Sequence, residues 1–292
     1  MQSPQASAID SPVLPGWISG RLSDSIEESA FRSGAALAYL HRVRARAEVP
    51  QPLWRARLAL DAAEACVRTA GRPERASDLR DALCLLRPGD HPGPAGEVFT
   101  AWLRAVTQPV SVASLARALP KMDQETIAAL LDTAQGGPVS RAAAVIETVL
   151  VDARGAETQA LILGDAVLAH ALGWTHLVPL LAAGLKSRDL RKSGEELRLA
   201  CHHAVVTTAR PAVQMAADLA RRAGRLQAVA PKLRAKAAGQ AVGMFLERDA
   251  LAPSALTGVM SDRAARRLCD RLVDLGALRE MTGRDTFRLY GV

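Results

Sequence analysis

Ala and Leu dominate the apolar residues of this chain, whereas aromatic residues make up only 3% of it. Ala and Leu have high helix propensities, while strands favour aromatic and β-branched residues. Hydrophobic residues form 49% of the 292 positions, which is enough for a sizeable core. The sequence therefore predicts a mainly α-helical protein of one large domain or two smaller ones.

Helical periodicity follows a Pro- and Ser-rich segment, residues 1–20, which we expect to be loose. The apolar spacing predicts a succession of helices over residues 21–229, which we assign to an all-α domain. Residues 195–209 and 211–224 are two separate helices in this prediction. Residues 230–292 differ in pattern and are assigned to a second domain.

The positive charge of the chain is concentrated near its C-terminus. The whole chain has 37 Lys and Arg against 30 Asp and Glu, a net charge of +7. Residues 221–292 hold 14 against 7, so residues 1–220 are balanced at 23 of each sign. Basicity localised in this way suggests a polyanionic partner. A basic, solvated surface with no such partner is the alternative interpretation.

The stretch "PKLRAKAAGQAVGMFLERD" predicts a long helix that starts at Pro231. Three cations, Lys232, Arg234 and Lys236, would then lie in its first turns and oppose the helix dipole. An anion that docks nearby would explain this placement, and a solvated face that tolerates the cost would explain it equally well.

A short helix at "APSALTG" precedes the basic stretch "SDRAARRLCDRLVDLG". The basic stretch predicts a helix in which Ser261 is the N-cap, Asp262 lies in the first turn and Gly276 ends the helix. Its apolar residues recur at steps of three and four, which predicts one buried stripe. The stripe consists of Ala265, Leu268, Leu272 and Leu275.

The final stretch, "LREMTGRDTFRLYGV", alternates around a Thr-Gly-Arg-Asp turn and predicts a β-hairpin. A two- or four-residue loop gives one register, in which Leu278, Phe287 and Leu289 face inward. Arg279 would then oppose Arg288 across the strands, an unfavourable pair of like charges that an anion would relieve. A loop with an odd number of residues would shift the register and remove this clash.

Helix, short helix, basic helix and hairpin is the order of a winged helix-turn-helix, whose second helix of the pair enters the major groove. We therefore predict a DNA-binding protein, and more specifically a transcriptional regulator. The residues assigned to DNA contact are Ser261, Arg263, Arg266, Arg267 and Arg271 on the basic helix, Arg279, Arg284 and Arg288 on the hairpin, and Lys232. A protein-interaction module with an acidic partner is the first alternative, and an enzyme hosted by the helical domain is the second. A homodimer and a protein partner bound by the helical domain are further partners left open.

The stretch from "LAPSALTG" to the end, with "PGW", "RPGDHPGPAG" and "APKLRAKAAG", resembles an uncharacterised bacterial family that has a C-terminal winged helix. Similar tails end some Fic-domain proteins. The resemblance implies a helical body and a winged-helix tail, but no activity. Although "GDHPGPAGEV" contains His91-Pro92, the Phe, Asn and terminal Arg of the Fic motif are missing, so we do not expect nucleotide transfer.

Other motifs with a specific chemistry are missing from the sequence. His170, His176 and the pair His202-His203 do not have a recognised metal-ligand spacing, so we expect no metal site and no cofactor. No nucleotide-binding or nucleophile motif occurs either. Without a signal-peptide pattern or a long apolar run, the sequence predicts a soluble, cytoplasmic protein with no membrane contact.

Overall fold

The computed structural model describes residues 14–87, 89–132, 135–233 and 237–292. These residues form twelve α-helices and one two-stranded antiparallel sheet, which confirms the mainly α-helical fold with a small C-terminal hairpin. The α-helices are α1 Ile26–Arg44, α2 Gln51–Thr69, α3 Ala76–Cys84, α4 Gly93–Thr107, α5 Val112–Ala118, α6 Gln124–Leu131, α7 Pro138–Asp152, α8 Glu157–Ala171, α9 Leu181–Gly184, α10 Gly194–Val229, α11 Ala238–Glu247 and α12 Asp262–Asp274. The strands are β1 Arg279–Glu280 and β2 Tyr290–Gly291.

Helix α2 lies at the centre of the molecule, because it packs against α3, α4, α9, α10 and α11. Its buried residues are mostly small, and five of them are Ala, which lets the surrounding helices approach closely. The buried Trp54 indole donates a hydrogen bond to the Ala212 carbonyl of α10 at 2.9 Å. The Trp102 indole of α4 donates to the Cys66 sulfur at 3.4 Å. These two bonds satisfy the polar atoms of large side chains in an otherwise apolar core.

Helix α10 is a single element, so the prediction of two helices separated before Pro211 is wrong. A proline inside a helix removes one backbone hydrogen bond and costs roughly 3 kcal/mol. Buried apolar residues continue on both sides of Pro211, and α10 packs along α1, α7 and α9. Burial of this continuous stripe outweighs the local cost of the proline.

Asp165 is a completely buried carboxylate in α8. Its oxygens accept hydrogen bonds from the backbone amides of Leu180, Leu181 and Ala182, at 2.9 to 3.3 Å, where α9 begins. Burial raises the pKa of Asp165 to about 7, although these three amide bonds act in the opposite direction. Asp165 therefore satisfies the amides at the start of a short buried helix that has no other side-chain cap.

The prediction of a long helix starting at Pro231 is also wrong. A short 3-10 helix, Ala230–Lys232, follows α10 directly, and α11 begins only at Ala238. Lys232 is therefore not in the first turn of α11, while Arg234 and Lys236 lie outside the described residues. Another 3-10 helix, Pro253–Leu256, occupies the position of the predicted short helix.

The apolar core is continuous between helices α1 to α10 and the C-terminal elements. Phe245, Leu256 and Leu268 belong to the same buried cluster as Trp54 and Trp102. The second domain predicted at residues 230–292 therefore packs directly on the helical body. Across the described ranges, no helix is both long and apolar enough to cross a bilayer.

Candidate nucleic-acid interface

Helix α12 has the boundaries that its sequence predicts. The Ser261 hydroxyl accepts a hydrogen bond from the Ala264 amide at 3.4 Å, and Asp262 lies in the first turn. Gly276 lies just beyond the helix with a φ of +65°, a backbone conformation that glycine adopts without strain. These two local signals fix where α12 begins and ends.

The buried side of α12 consists of Ala265, Leu268, Cys269 and Leu272. Three of the four residues predicted for the buried stripe are therefore buried. Leu275 is 37% exposed, because the helix ends at Asp274 and the chain turns away after it. The opposite side of α12 faces solvent and carries Arg263, Arg266, Arg267 and Arg271, which we call the basic face.

Three arginines of the basic face have no hydrogen bond or ion pair within the described part of the chain. Arg263, Arg267 and Arg271 are spaced four residues apart, so they lie within about 80° on one side of the helix. Arg266 forms an ion pair with Asp262 at 3.0 Å, but both side chains are more than half exposed. Such an exposed pair contributes about 0–1 kcal/mol, so it leaves Arg266 available to a stronger anion.

Acidic residues limit the positive charge of the second half of α12. Asp270 lies about one turn after Arg266 and Arg267, and Asp274 lies about one turn after Arg271, both on the exposed side. Asp270 accepts a hydrogen bond from the Tyr290 hydroxyl at 3.1 Å, which ties α12 to strand β2. The excess positive charge is therefore greatest around Arg263 and Arg267, at the N-terminal half of the helix.

The register of the hairpin differs from the one that a two- or four-residue loop would give. Arg279 pairs with Gly291 and Glu280 pairs with Tyr290, so Arg279 does not oppose Arg288. The prediction that Arg279 and Arg288 oppose each other across the strands is therefore wrong. Tyr290 also forms two backbone hydrogen bonds with Leu251, each 2.9 Å, which places a third extended segment beside β2. This second partner fixes the position of β2, and the turn residues alone do not.

The connection between β1 and β2 is longer than predicted and is organised by Glu280. Its carboxylate accepts hydrogen bonds from the amides of Thr282, at 2.8 Å, and Gly283, at 2.7 Å. Phe287 has a φ of +56° and is 61% exposed, so its predicted inward orientation is wrong. Leu278 and Leu289 are buried as predicted.

The three hairpin arginines have different surroundings. Arg284 forms an ion pair with Asp81 of α3, so the loop lies against the helical body. The Arg288 guanidinium donates to the Arg284 carbonyl at 2.9 Å and lies 3.6 Å from Asp285. Partial burial, together with the neighbouring cations Arg222 and Arg57, lowers the pKa of Arg279. All three hairpin arginines are exposed, but Arg284 and Arg288 already contact other groups of the protein.

Two predicted contact residues remain outside the basic face. Ser261 is exposed, but its hydroxyl oxygen is used as the N-cap of α12. Lys232 is exposed in the 3-10 helix that follows α10, a different element from those that carry the other predicted contacts. Sequence spacing predicted the arginines of α12 as one group, whereas the placement of Lys232 depended on a helix that does not form there.

A buried ion-pair cluster attaches the C-terminal elements to the body. Asp249, just after α11, pairs with Arg57 of α2 and with Arg80 of α3, the latter at 2.6 Å. The Arg57 guanidinium also donates to the backbone oxygen of Val292 at 3.0 Å. No local pattern in the sequence predicts this cluster, because 192 residues separate Arg57 from Asp249.

One family model matches almost the whole chain. Its description is "Protein of unknown function (DUF1403)", and it matches residues 3–292. The chain belongs to this family. No curated protein matches the chain. Because the DUF1403 family description names no activity, a function for this member has to be inferred from the geometry of its own residues.

Proposed function

We propose that residues 238–292 of this DUF1403 protein form a winged helix that binds DNA, and that the protein regulates transcription. The order of elements supports this assignment. Helix α11 precedes the extended segment at Leu251, the 3-10 helix and α12, and the hairpin of β1 and β2 follows. In winged helices the helix at the position of α12 enters the major groove.

The observation that carries the proposal is the basic face. Arg263, Arg267 and Arg271 point away from the core and have no partner within the described residues. Arginines on such a helix contact phosphates, and their paired N–H groups fit the acceptor edge of guanine. Since the excess positive charge is greatest around Arg263 and Arg267, we assign base contacts to these two and phosphate contacts to Arg266 and Arg271.

We assign a smaller role to the hairpin. Arg284 would have to leave Asp81 before it could contact a phosphate, and this competition reduces the net gain. The same contact between a guanidinium and a carboxylate is the observation that favours the second candidate function, binding to an acidic protein surface.

Fluorescence anisotropy with labelled genomic DNA fragments over a salt series tests the proposal. We expect tight binding at low salt that weakens steeply as salt increases, because phosphate contacts release counterions. Replacement of Arg263, Arg267 and Arg271 by Gln should abolish sequence preference. It should also reduce the slope of log K against log salt by about 0.9 for each phosphate that the variant no longer neutralises.

The matched control replaces three exposed body arginines, Arg42, Arg104 and Arg117, by Gln, which removes the same charge. It should change DNA affinity far less than the basic-face triple variant. Equal losses in both variants would show that only net charge matters and would contradict the proposal. No binding at low salt, together with capture of an acidic protein by the basic face, would favour the second candidate.

A further inference from the structure

A cleft of about 640 Å³ lies between the helical body and the residues that lead into the C-terminal elements. Ligand sites for small molecules occupy about 300–1,000 Å³, so the volume suits one. Apolar residues from α3, α4 and the segment after α11 form most of the wall. They include Leu83, Phe99, Leu103, Val106, Leu251 and Ala255.

Arg55 of α2 is a half-buried charged residue in this apolar wall. Its Nε donates a hydrogen bond to the Val106 carbonyl at 3.0 Å, which holds the guanidinium in place. A guanidinium has five N–H donors, and no other hydrogen bond or ion pair of Arg55 occurs within the described residues. The remaining donors are therefore available to a ligand in the cleft.

The charges around Arg55 do not compensate it. Burial, and secondarily the nearby Arg44, lower the pKa of Arg55 to about 10. His176 lies close enough that Arg55 and Arg44 also lower its pKa, after the larger effect of burial. Withdrawing an unpaired cation from water is unfavourable, so the group would gain from an anionic partner.

The other polar residues of the cleft do not supply that partner. Asp249 is already paired with Arg57 and Arg80. Glu247 lines the same cleft but is exposed, and it forms no ion pair with Arg55. The Cys84 thiol donates to the Ala250 carbonyl at 3.5 Å, and burial raises its pKa to about 12, so it stays neutral at physiological pH.

We infer that the cleft binds a small amphipathic carboxylic acid. The ligand carboxylate pairs with the free N–H groups of Arg55, and its hydrocarbon portion packs against Phe99 and Leu103. Charge-assisted pairing of a planar guanidinium with a carboxylate provides the specificity, and the apolar wall provides affinity. Ligand binding at this cleft is independent of whether α12 binds DNA.

Calorimetric titration of the full chain with octanoate tests this site, with neutral octanol as the matched ligand. We expect saturable binding of one octanoate per chain. Arg55→Met should weaken octanoate binding by about tenfold to a hundredfold, as expected for loss of a charge-assisted hydrogen bond, with little change for octanol. Arg55→Lys should give an intermediate loss, because it keeps the charge without the planar donor pair.

Arg68→Met is the matched control, because Arg68 is 13 residues further along the same helix, about 20 Å away. It should leave both affinities unchanged. Ala255→Trp, at an exposed position in the cleft wall, should block both ligands. Glu247→Gln should strengthen octanoate binding by removal of a like charge. Circular dichroism and melting temperature verify that each variant is folded.

Three results would overturn the assignment of this site. The first is no octanoate binding to the native chain. The second is an equal effect of Arg55→Met and Arg68→Met on octanoate. The third is unchanged binding in Ala255→Trp, which would place the ligand elsewhere on the protein.

Discussion

Replacement of Asp249 by Asn should loosen the attachment of the C-terminal elements to the helical body. Only 6% of the Asp249 side chain is exposed, and 15% of each partner arginine is exposed. Asn preserves the size of the side chain but removes its charge, so Arg57 and Arg80 would face each other without a carboxylate between them. Removing one member of a buried ion pair costs about 3–5 kcal/mol, because the remaining charges stay desolvated.

A loss of this size should lower the melting temperature by roughly 6–15 °C, if the whole chain unfolds together. If only the C-terminal elements separate, hydrogen exchange should accelerate at the backbone pair of Leu251 and Tyr290 before the amides of α8 are affected. Differential scanning calorimetry measures the change in melting temperature, and hydrogen exchange followed by mass spectrometry detects separation of the C-terminal elements alone.

Asp285→Asn is the matched control for this experiment. Its carboxylate is fully exposed and lies 3.6 Å from Arg288, so its loss should leave the melting temperature nearly unchanged. A second variant replaces Arg57 and Arg80 by Met and Asp249 by Leu, and should recover part of the lost stability, because it removes the buried charges of all three side chains, although the Val292 oxygen loses its Arg57 donor. An Asp249→Asn variant that melts at the native temperature and exchanges at the native rate would contradict this role of the ion pairs.

Three further substitutions test other parts of the structure. Burial raises the pKa of Asp165 from 3.8 to about 7, so the folded state binds the carboxyl proton more tightly than the unfolded state does, and the free energy of unfolding should fall as pH rises from about 4 to 7. Urea unfolding of Asp165→Asn should lack that part of the pH dependence. An unchanged pH profile would contradict the raised pKa of Asp165. Gly184→Ala should cost about 1–3 kcal/mol in calorimetry, since the new methyl would lie 2.7 Å from the Ala204 Cα, whereas Gly239→Ala, with open space around it, serves as the tolerated control. Ser261→Ala should cost about 1 kcal/mol through loss of the α12 N-cap and Ser261→Asp should not, so equal losses in urea unfolding would argue against a capping role.

Local sequence signals predicted the elements whose determinants lie within one helix. Ser261 and Gly276 fixed the ends of α12, and the spacing of Ala265, Leu268 and Leu272 identified its buried side. The side of α12 that carries the basic face follows from the same spacing. The sequence therefore predicts which arginines are grouped on the basic face. The residues with which the hairpin arginines pair do not follow from the sequence.

Predictions failed where a distant residue decides the local conformation. The register of the hairpin follows from the pairing of Tyr290 with Leu251, about 40 residues earlier in the chain. Pro211 remains inside α10 because neighbouring helices cover the buried apolar stripe that runs along α10, whereas helix propensity alone favours a break at this proline. Arg284 looked free at the tip of a hairpin, but its partner Asp81 lies on α3.

The short segment from Asp249 to Leu251 links the features that sequence analysis could not connect. Asp249 forms ion pairs with Arg57 and Arg80, the Ala250 carbonyl accepts a hydrogen bond from the Cys84 thiol, and Leu251 pairs with Tyr290 of β2. A buried ion pair adds little stability compared with apolar packing of the same volume, so its stronger effect is on geometry. The two ion pairs of Asp249 hold this segment against α2 and α3. The segment thereby lines the cleft beside Arg55 and holds β2, to which α12 is tied by the hydrogen bond from Tyr290 to Asp270.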